Sequence, residues 1–353
     1  MITGPVVFWN LERLFAAGSH IEAALGDGSP PATTPDELSA RLRVLGGVLE
    51  AIGGAHGLPA LVGLAEIETA GLITRLVRSS GLALESVEGD TADEAGVPLE
   101  GLDVTLLYDP AVFKPAVRIR SHVLDRTFDT RDVLEVDLPL RADDTIVKVL
   151  VCHWPSRLSL ESAERRLAVS YFCRQIALDW LRYPARELWN AARGRLELPV
   201  KSELEARSVR PFVIMGDFND EPFDRSLELL EATPDLSQVT VPLRGSGRTL
   251  RERYVSYIAW TPRLWNGFWG LGGGQAGTYY RSPRWRTYDQ VVVSAGAAGL
   301  LGARKAATLA PASIVVDGRR VTLTTADGRP LSFDPAKGRG ASDHLPVGLL
   351  KDG

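Results

Sequence analysis

Residues 212–222 read FVIMGDFNDEP, in which a short apolar run ends at a glycine and a series of polar residues. An uninterrupted apolar run of this kind is typical of a strand with both faces covered. Gly216 allows a sharp turn at its end, and Asp217 and Asn219 then point to the same side if the backbone stays extended. The stretch predicts a buried strand that presents a carboxylate beside an amide, a pair suited to orienting water or binding a phosphate oxygen. An ordinary Asx-rich turn is the alternative.

Short apolar runs rich in valine, isoleucine and leucine recur on both sides of this stretch. The strands predicted from them are Val6–Trp9, Ala60–Leu64, Val104–Tyr108, Ile146–Cys152, Phe212–Met215, Gln290–Val293 and Val347–Leu350. Helical spacing of apolar residues predicts further elements at Leu38–Ile52, Thr69–Ser80, Ser159–Leu181 and Leu227–Ala232. Strands and helices alternate early and strands cluster later, which predicts an α/β domain of two stacked sheets under outer helices.

No linker divides the 353 residues, so a single domain over 1–353 is predicted. Irregular insertions are expected near 184–210, where Glu and Arg alternate, and near 245–287, where Trp and Tyr are frequent. The rings of the second insertion either stack on nucleic-acid bases or pack under a long loop.

Composition restricts the classes of protein to consider. The chain is 45% hydrophobic and 24% charged, as in globular proteins, and its net charge of −4 gives no overall electrostatic footprint for nucleic acid. A locally basic cleft stays open, because arginines cluster at 244–253 and 281–286, although a solvated surface explains them equally well. The sequence lacks a signal-peptide pattern and an apolar run of membrane-spanning length, so a cytoplasmic protein without a membrane span is expected. Cys152 and Cys173 make no disulfide framework, and Cys152 is expected to be a buried thiol.

Isolated polar residues repeatedly follow or precede the predicted strands. They are Asn10, Glu66, His153, Asp217, Asn219, Asp289, Asp343 and His344. Each alone is explained as a cap or a turn residue. However, strand ends in layered α/β proteins share a rim where ligands bind. The recurrence predicts one functional site assembled from residues far apart in the sequence.

Three of these residues carry the oxygen donors that Mg²⁺ prefers, namely Asn10, Glu66 and Asp343. The chain has five histidines and two cysteines, with no close-spaced pair among them, which disfavours a zinc site. A hard divalent cation, Mg²⁺ or Mn²⁺, is therefore the predicted cofactor.

His153 and His344 are the two histidines placed to act in catalysis, because each stands at the end of a predicted strand. A neighbouring carboxylate fixes the tautomer of an imidazole and keeps it basic. Asp103 and Asp289 are candidate partners, since each lies in an apolar run where a buried acid requires one; backbone hydrogen bonds are the alternative. The remaining histidines, expected at the surface, are His20, His56 and His122.

The order of these residues resembles that of the endonuclease/exonuclease/phosphatase family, which includes pancreatic-type deoxyribonuclease, the apurinic-site endonucleases and the inositol-phosphate phosphatases. The series that carries the resemblance is Asn10, Glu66, Asp103, His153, Asp217-x-Asn219, Asp289 and Ser342-Asp343-His344, and it spans nearly the whole chain. The resemblance implies a four-layered α/β sandwich, with two mixed β-sheets flanked by helices and an active site at one edge.

The resemblance also implies a role for each position. Asn10, Glu66 and Asp343 correspond to the divalent-metal site. Asp217 and Asn219 resemble the pair that orients the nucleophile and stabilises the transition state.

For the histidines, the resemblance implies that Asp289 supports His344, which acts on the attacking water or the phosphate. His153 resembles the second histidine of the deoxyribonuclease branch, paired with an acid at Asp103. Longer shared strings point to a bacterial subgroup of the family. Ala65 stands where the apurinic-site enzymes commonly have Gln before the metal-binding Glu, which favours a deoxyribonuclease-like site over abasic-site repair.

These features predict a metal-dependent phosphoesterase in which water attacks phosphorus in line, assisted by two Asp-supported histidines. Nucleic acid is the first candidate substrate. A small phosphorylated metabolite or lipid head group is the alternative, and a non-catalytic binding module is the third hypothesis. Arg157 and Arg166 are candidate phosphate contacts, with a surface or packing role equally open. No protein partner is inferred.

Overall fold

The computed structural model describes residues 2–25, 33–87, 101–122, 124, 133–157, 161–184, 186, 206–239, 256–257, 259–271 and 276–351. The strands in these ranges are β1 (Val6–Leu14), β2 (Leu61–Ile67), β3 (Glu85–Val87), β4 (Asp103–Tyr108), β5 (Arg118–His122), β6 (Val133–Pro139), β7 (Ile146–His153), β8 (Phe212–Asp217), β9 (Ala232–Thr233), β10 (Leu264–Asn266), β11 (Tyr279–Arg281), β12 (Arg284–Arg286), β13 (Asp289–Val293), β14 (Ala303–Thr308), β15 (Ser313–Val316), β16 (Arg319–Thr322) and β17 (Val347–Lys351).

Helices of the same ranges overlap all four predicted ones, although the helix predicted at Leu227–Ala232 ends at Leu229 and Ala232 begins β9. The described helices are α1 (His20–Leu25), α2 (Pro35–His56), α3 (Ala70–Ser80), α4 (Ser162–Leu181), α5 (Arg225–Leu229) and α6 (Ala295–Leu301). The N-terminus of α2 is a capping box in which the Thr34 side chain accepts a hydrogen bond from the Glu37 N–H and the Glu37 side chain accepts one from the Thr34 N–H. None of the described helices has both the length and the hydropathy needed to cross a membrane.

Two mixed sheets form the body of the protein. The first has the order β14-β17-β1-β2-β4-β3 and the second has the order β5-β6-β7-β8-β13-β10-β9. β1 and β2 are parallel, as are β7 and β8, so their carboxyl ends lie together within each sheet. β17 and β13 run antiparallel to β1 and β8, so their first residues reach the same edges. This topology places the polar strand-end residues along one rim.

Alternate residues of the strands fill three apolar layers. In β1, Val6 and Phe8 enter the core between the sheets, whereas Val7 and Trp9 belong to the layer that contains α2 and α3. α4 covers the outer face of the second sheet. The sheets approach closely at Gly63, where a Cβ atom would lie 2.5 Å from the Met215 sulfur. The architecture is the predicted four-layered α/β sandwich.

The sequence pattern does not predict β5 and β6, and it places His122 at the surface. Glu135 and Asp137 interrupt the apolar run of β6, yet both are buried, and Asp137 accepts a hydrogen bond of 2.6 Å from Lys148 of β7. His122 is half-buried, with Nε2 2.8 Å from Glu135 Oε2. The expectation for His122 is only partly met, because its ring packs against Phe172 and pairs with the buried Glu135 at the edge of the ionic cluster.

The predicted irregular insertions are only partly within the described ranges. Residues 187–205 and 240–255, including the arginines at 244–253, lie outside them, so the prediction stays a prediction there. In the described part of the second insertion, Trp265 packs into the core from β10, while β11 and β12 form a two-stranded hairpin. Some of its aromatic residues are therefore structural, whereas those of the hairpin are not enclosed by the core.

Candidate active site

Asn10 and Glu66 lie side by side at the ends of two parallel strands. Asn10 is in register with Ala65, and its Nδ2 donates a hydrogen bond of 3.2 Å to Glu66 Oε1. Glu66 has a φ of 64°, and the pairing of β2 with β4 shifts at this position. The irregular backbone brings the Glu66 carboxylate next to Asn10 rather than into the ladder.

The backbone after Asn10 is held in an unusual conformation by a half-buried arginine. Glu12 and Arg13 both have a φ of 55°, which is costly for residues other than glycine unless the surroundings fix it. The guanidinium of Arg41 donates to the carbonyls of Leu11 at 2.7 Å and Arg13 at 3.2 Å. Arg41, which no sequence pattern singles out, is thus a positioning residue for the rim.

Glu12 is a carboxylate of the site that the sequence analysis missed. Its Oε2 accepts a hydrogen bond of 3.0 Å from the Asp343 N–H, and its Oε1 accepts one of 2.6 Å from Ser332 Oγ. Burial raises the pKa of Glu12, and the negative charge of Asp343 adds to that shift. The spacing of two residues from Asn10 is the only sequence signal for it.

The Ser342-Asp343-His344 motif is fastened to β1 by side-chain hydrogen bonds. Ser342 Oγ donates to the Asn10 carbonyl at 2.7 Å, and the Trp9 indole N–H donates to the His344 carbonyl at 3.0 Å. A motif near the end of the sequence therefore lies against the first strand, as the predicted common site requires.

His344 and Asp289 form a buried pair. His344 Nδ1 lies 2.8 Å from Asp289 Oδ2, and Asp289 has no exposed surface. Burial alone would lower the pKa of His344, but the negative charges of Asp289, Asp217 and Asp343 raise it well above its ordinary value. The arrangement directs His344 Nε2 toward the two other carboxylates, at 3.8 Å from Asp217 Oδ2 and 3.9 Å from Asp343 Oδ1.

Asp217 stands at the centre of the described contacts. Its Oδ2 accepts a hydrogen bond of 3.1 Å from Asn10 Nδ2 and lies 3.4 Å from His153 Nε2. Burial raises the pKa of Asp217 to about 7, and the charge of Asp289 acts in the same direction. A carboxylate that titrates near neutrality is suited to accepting a proton from water.

His153 reaches the same carboxylates from the end of β7. It is 2% exposed, and its Nε2 lies 3.7 Å from Glu66 Oε1 in addition to its approach to Asp217. Asp103, its predicted partner, is the first residue of β4 and is in register with Ile67 at the end of β2. Both residues therefore lie at the rim, and their pairing stays a prediction.

Asn219 follows Asp217 in a tight turn. It has a φ of 50°, its N–H donates to Asp217 Oδ1 at 2.9 Å, and its Nδ2 donates to the Trp154 carbonyl at 3.0 Å. The turn keeps the Asn219 side chain beside the strand end of β7. The sequence left two interpretations of this motif open, a functional carboxylate–amide pair and an ordinary Asx turn. They are compatible, since an Asx turn also holds the amide at the rim.

Arg157 and Arg166 converge on Asp220 rather than on the central carboxylates. Arg157 Nη2 and Arg166 Nε lie 2.6 Å and 2.8 Å from Asp220 Oδ1. Arg166 is 4% exposed, and Arg157 also donates to the Asn219 carbonyl at 2.7 Å. These contacts stabilise the turn after β8 and favour a structural role for both arginines.

Tyr279 is a third residue whose position the sequence did not reveal. Its ring stacks on the His344 imidazole, with centroids 4.6 Å apart and planes 26° apart, and the two residues form an isolated β-bridge. Thr278 beside it accepts hydrogen bonds from the N–H groups of Tyr288 and Asp289. The β11–β12 hairpin is thereby joined to the His344–Asp289 pair.

The carboxylates fit a hard divalent cation. The pKa of Asp343 is raised by burial and by the charges of Glu66 and Asp289, although His344 opposes the shift. A cation bound to oxygen atoms of Asn10, Glu66 and Asp343 would relieve this repulsion. Ligand atoms of Asp217, Asp289 and His344 also lie within 4.8 Å of one another. The hydrogen bond of the buried pair accounts for that proximity without an ion.

The geometry defines a rim of carboxylates and imidazoles of the kind used to hydrolyse phosphate esters. A model of the Endonuclease/Exonuclease/phosphatase family matches residues 5–186, which include Asn10, Glu66, Asp103 and His153. The chain belongs to this family. It is a phosphate-ester hydrolase, and members of the family depend on a divalent metal.

Solved structures share the fold over nearly the whole length of both chains. An endonuclease/exonuclease/phosphatase family protein from Bacteroides thetaiotaomicron has a TM-score of 0.51 and 11% identity, with 98% of this chain and 96% of that chain covered. A mannosyl-6-phosphatase from the same organism has a TM-score of 0.51 and 11% identity, with 98% of each chain covered. A search among curated proteins finds no significant relative.

Proposed function

We propose that the protein is a phosphodiesterase that cleaves nucleic acid by in-line attack of water on phosphorus. The observation that carries the proposal is the convergence of the buried His344–Asp289 pair and His153 on one carboxylate, Asp217. Two imidazoles close to one proton acceptor suit a reaction in which a proton leaves the water and another reaches the leaving oxygen.

In this mechanism Asp217 holds the attacking water and accepts its proton, because burial raises the pKa of its carboxylate and makes it a stronger base. The water oxygen forms the new bond to phosphorus, and the bond from phosphorus to the leaving oxygen breaks. His153, whose Nε2 lies 3.4 Å from Asp217, donates a proton to the leaving oxygen. The predicted support of His153 by Asp103 would keep its ring oriented during that transfer.

His344 carries a proton on Nδ1 toward Asp289, and its raised pKa favours a second proton on Nε2. That N–H donates a hydrogen bond to a non-bridging phosphate oxygen as negative charge develops there. The Asn219 amide is proposed to bind another phosphate oxygen. Asn10, Glu66 and Asp343 would hold Mg²⁺ or Mn²⁺, which when bound polarises the phosphate and offsets its charge.

A phosphatase that acts on a small phosphorylated metabolite or lipid head group is the second candidate. The net charge of −4 supports it, because a polynucleotide is attracted only where the surface is locally basic. The nucleic-acid proposal is supported by the arginines and aromatic rings of the β11–β12 hairpin beside His344.

The test is hydrolysis by the purified protein in Mg²⁺, in Mn²⁺ and in EDTA. Single-stranded DNA, duplex DNA, RNA, bis-p-nitrophenyl phosphate and p-nitrophenyl phosphate are assayed in parallel. Asp217→Asn is the inactive variant, and Asp143→Asn, a change of an exposed carboxylate, is its control. Metal-dependent cleavage of a polynucleotide that only Asp217→Asn abolishes supports the proposal. Turnover confined to p-nitrophenyl phosphate indicates a phosphatase. Absence of turnover with either metal favours the non-catalytic binding module.

A further inference from the structure

The β11–β12 hairpin extends from the catalytic histidine as a basic and aromatic arm. Tyr279 at its base stacks on His344, and Tyr280 and Trp285 face each other one position further, with ring centroids 5.4 Å apart. Arg281 and Arg284 form the tip, where they pair in register and are both exposed. The stretch 276–288 contains three arginines and no acidic residue.

The arginines at the tip have no counter-charge of their own. Arg286 at the base lies 3.6 Å from Glu221, but neither Arg281 nor Arg284 forms an ion pair within the described ranges. Two exposed cations close together repel each other, so an unpaired arginine pair at the mouth of a phosphate site is suited to an anionic ligand.

A second segment covers the other side of the hairpin. The guanidinium of Arg329 lies 4.1 Å from the centroid of the Tyr280 ring. Residues close to Arg329 reach the catalytic rim directly, because Ser332 donates to Glu12 and Phe333 lies under the guanidinium of Arg41 at 5.9 Å. The contacts fix the orientation of the hairpin relative to the site.

We propose that this arm binds a single-stranded polynucleotide on one side of the phosphate being cleaved, an inference that rests on the proposed function. Tyr280 and Trp285 pair on one face of the hairpin, and Arg281 and Arg284 pair on the opposite face at its exposed tip. The half-buried ring of Trp285, packed edge-on against Tyr280, offers apolar surface to bases, and Arg281 and Arg284 meet the phosphates beyond it. Unpaired bases expose their faces to such rings, whereas bases of a duplex are covered by their neighbours. A small phosphate ester at His344 would leave the tip unused.

Binding is measured by fluorescence anisotropy in EDTA, so that the oligonucleotide is not cleaved. The probe is a fluorescein-labelled oligothymidylate of about 16 nucleotides, the upper range of common single-strand sites. The variant is Arg281→Glu/Arg284→Glu. The control is Arg304→Glu/Lys305→Glu, which reverses two exposed charges on β14, whose first residue pairs with Lys351 at the edge of the sheet opposite the site.

The arm variant is expected to weaken binding by at least about 10-fold, and to reduce the slope of log affinity against log salt by roughly 1.4, since two phosphate contacts are lost. The control variant is expected to bind within about 2-fold of wild type, because it leaves every phosphate contact in place. Competition by unlabelled duplex should be weaker than by the single strand. Thermal melting of both variants checks that they fold.

Equal binding by the arm and control variants overturns the inference, as does absence of binding by the wild type. Preferential binding of phosphatidylserine vesicles over the oligonucleotide also overturns it, in favour of a membrane surface. The two proposals fail separately. Hydrolysis of bis-p-nitrophenyl phosphate without oligonucleotide binding contradicts the arm alone, whereas oligonucleotide binding without hydrolysis in any metal supports the arm and contradicts the phosphodiesterase.

Discussion

His344 and Asp289 join the two sheets at the rim of the candidate active site. Asp289 begins β13 of the second sheet, His344 precedes β17 of the first, and their side chains meet at 2.8 Å although 55 residues separate them. The second carboxylate oxygen of Asp289 is buried and has no hydrogen-bond partner among the described residues. The negative charge of Asp289 is therefore directed mainly at the His344 imidazole. This interaction fixes the orientation and the protonation of the imidazole.

Asp289→Asn tests this pair. The amide keeps the size of the side chain but cannot fix the tautomer or stabilise the imidazolium, so kcat is expected to fall by about 10²–10⁴-fold. The pKa of His344 should also fall, because burial then acts without the main opposing charge; imidazole NMR titration in EDTA measures it. Asp143→Asn is the control. Retention of more than about a tenth of the activity would remove the pair from the mechanism.

Asp217 should make the metal-free protein less stable as pH rises. Its pKa is about 7 in the folded protein against 3.8 as the ordinary value, so the folded state retains a proton that the unfolded state releases. The stabilisation is present below about pH 4 and is lost as pH rises toward 7. In EDTA at about pH 8, Asp217→Asn is expected to melt roughly 3 °C above wild type, and no difference is expected at about pH 4. Equal melting curves at both values would contradict the buried charge.

The apolar strands of the fold could be predicted because each is covered on both faces. Val6–Trp9 and Phe212–Met215 lie inside β1 and β8 for that reason. β6 could not be predicted, since Glu135 and Asp137 resemble a solvent-facing pattern. Only the three-dimensional structure shows that Lys148 from the neighbouring strand satisfies them. A buried ion cluster has no periodicity that distinguishes it from a surface.

The site was predictable where chemistry coincides with a strand end, as for Asn10 and Asp217. Glu12 could not be predicted, because its contact with Asp343 depends on a positive φ that no sequence pattern indicates. The position of Tyr279 at the site could not be predicted for another reason. Its contact with His344 crosses between segments 65 residues apart, so its aromatic character gave no indication of which side chain it would touch.

The ion cluster of β6 and β7 is expected to stabilise the second sheet. Lys148 Nζ bonds to both Glu135 and Asp137, and all three are buried. Lys148→Met leaves two carboxylates without their cation, which should lower the free energy of unfolding by about 3–5 kcal/mol. Lys114→Met, which breaks the exposed pair with Asp144, should cost less than about 1 kcal/mol. Urea unfolding measures the free energy of unfolding of both variants. An equal loss in the two would show that burial of the cluster is irrelevant.

The same cluster predicts a direction of pH dependence. Burial alone would raise the pKa of Glu135, but hydrogen bonds from His122 and Lys148 lower it to about 2, against an ordinary value of 4.5. A depressed pKa means that the stabilisation is present above about pH 4.5 and is lost as pH falls toward 2. Glu135→Gln should flatten this part of the stability profile; an unchanged acid slope would contradict the assignment.

Glu66→Gln tests the metal site apart from catalysis. The amide keeps one oxygen donor but loses the charge, so affinity for Mn²⁺ is expected to fall by at least about 10-fold. Electron paramagnetic resonance of free Mn²⁺ measures binding without substrate. Glu50→Gln, an exposed change on α2, should bind as wild type does. Unaltered affinity in Glu66→Gln would place the ion elsewhere, and the group formed by Asp217, Asp289 and His344 would then be the next to test.

The role of His153 can be separated from that of His344 by the leaving group. A p-nitrophenolate departs without needing a proton, whereas the sugar oxygen of a polynucleotide needs one. His153→Gln is therefore expected to slow polynucleotide cleavage by about 10²–10⁴-fold and bis-p-nitrophenyl phosphate hydrolysis by only about 10-fold. His344→Gln should slow both substrates to the same degree, since its bond to the phosphate is needed whichever group departs. His56→Gln at the exposed end of α2 is the control. If His153→Gln slowed both substrates equally, His153 would orient Asp217, 3.4 Å away, rather than supply the proton.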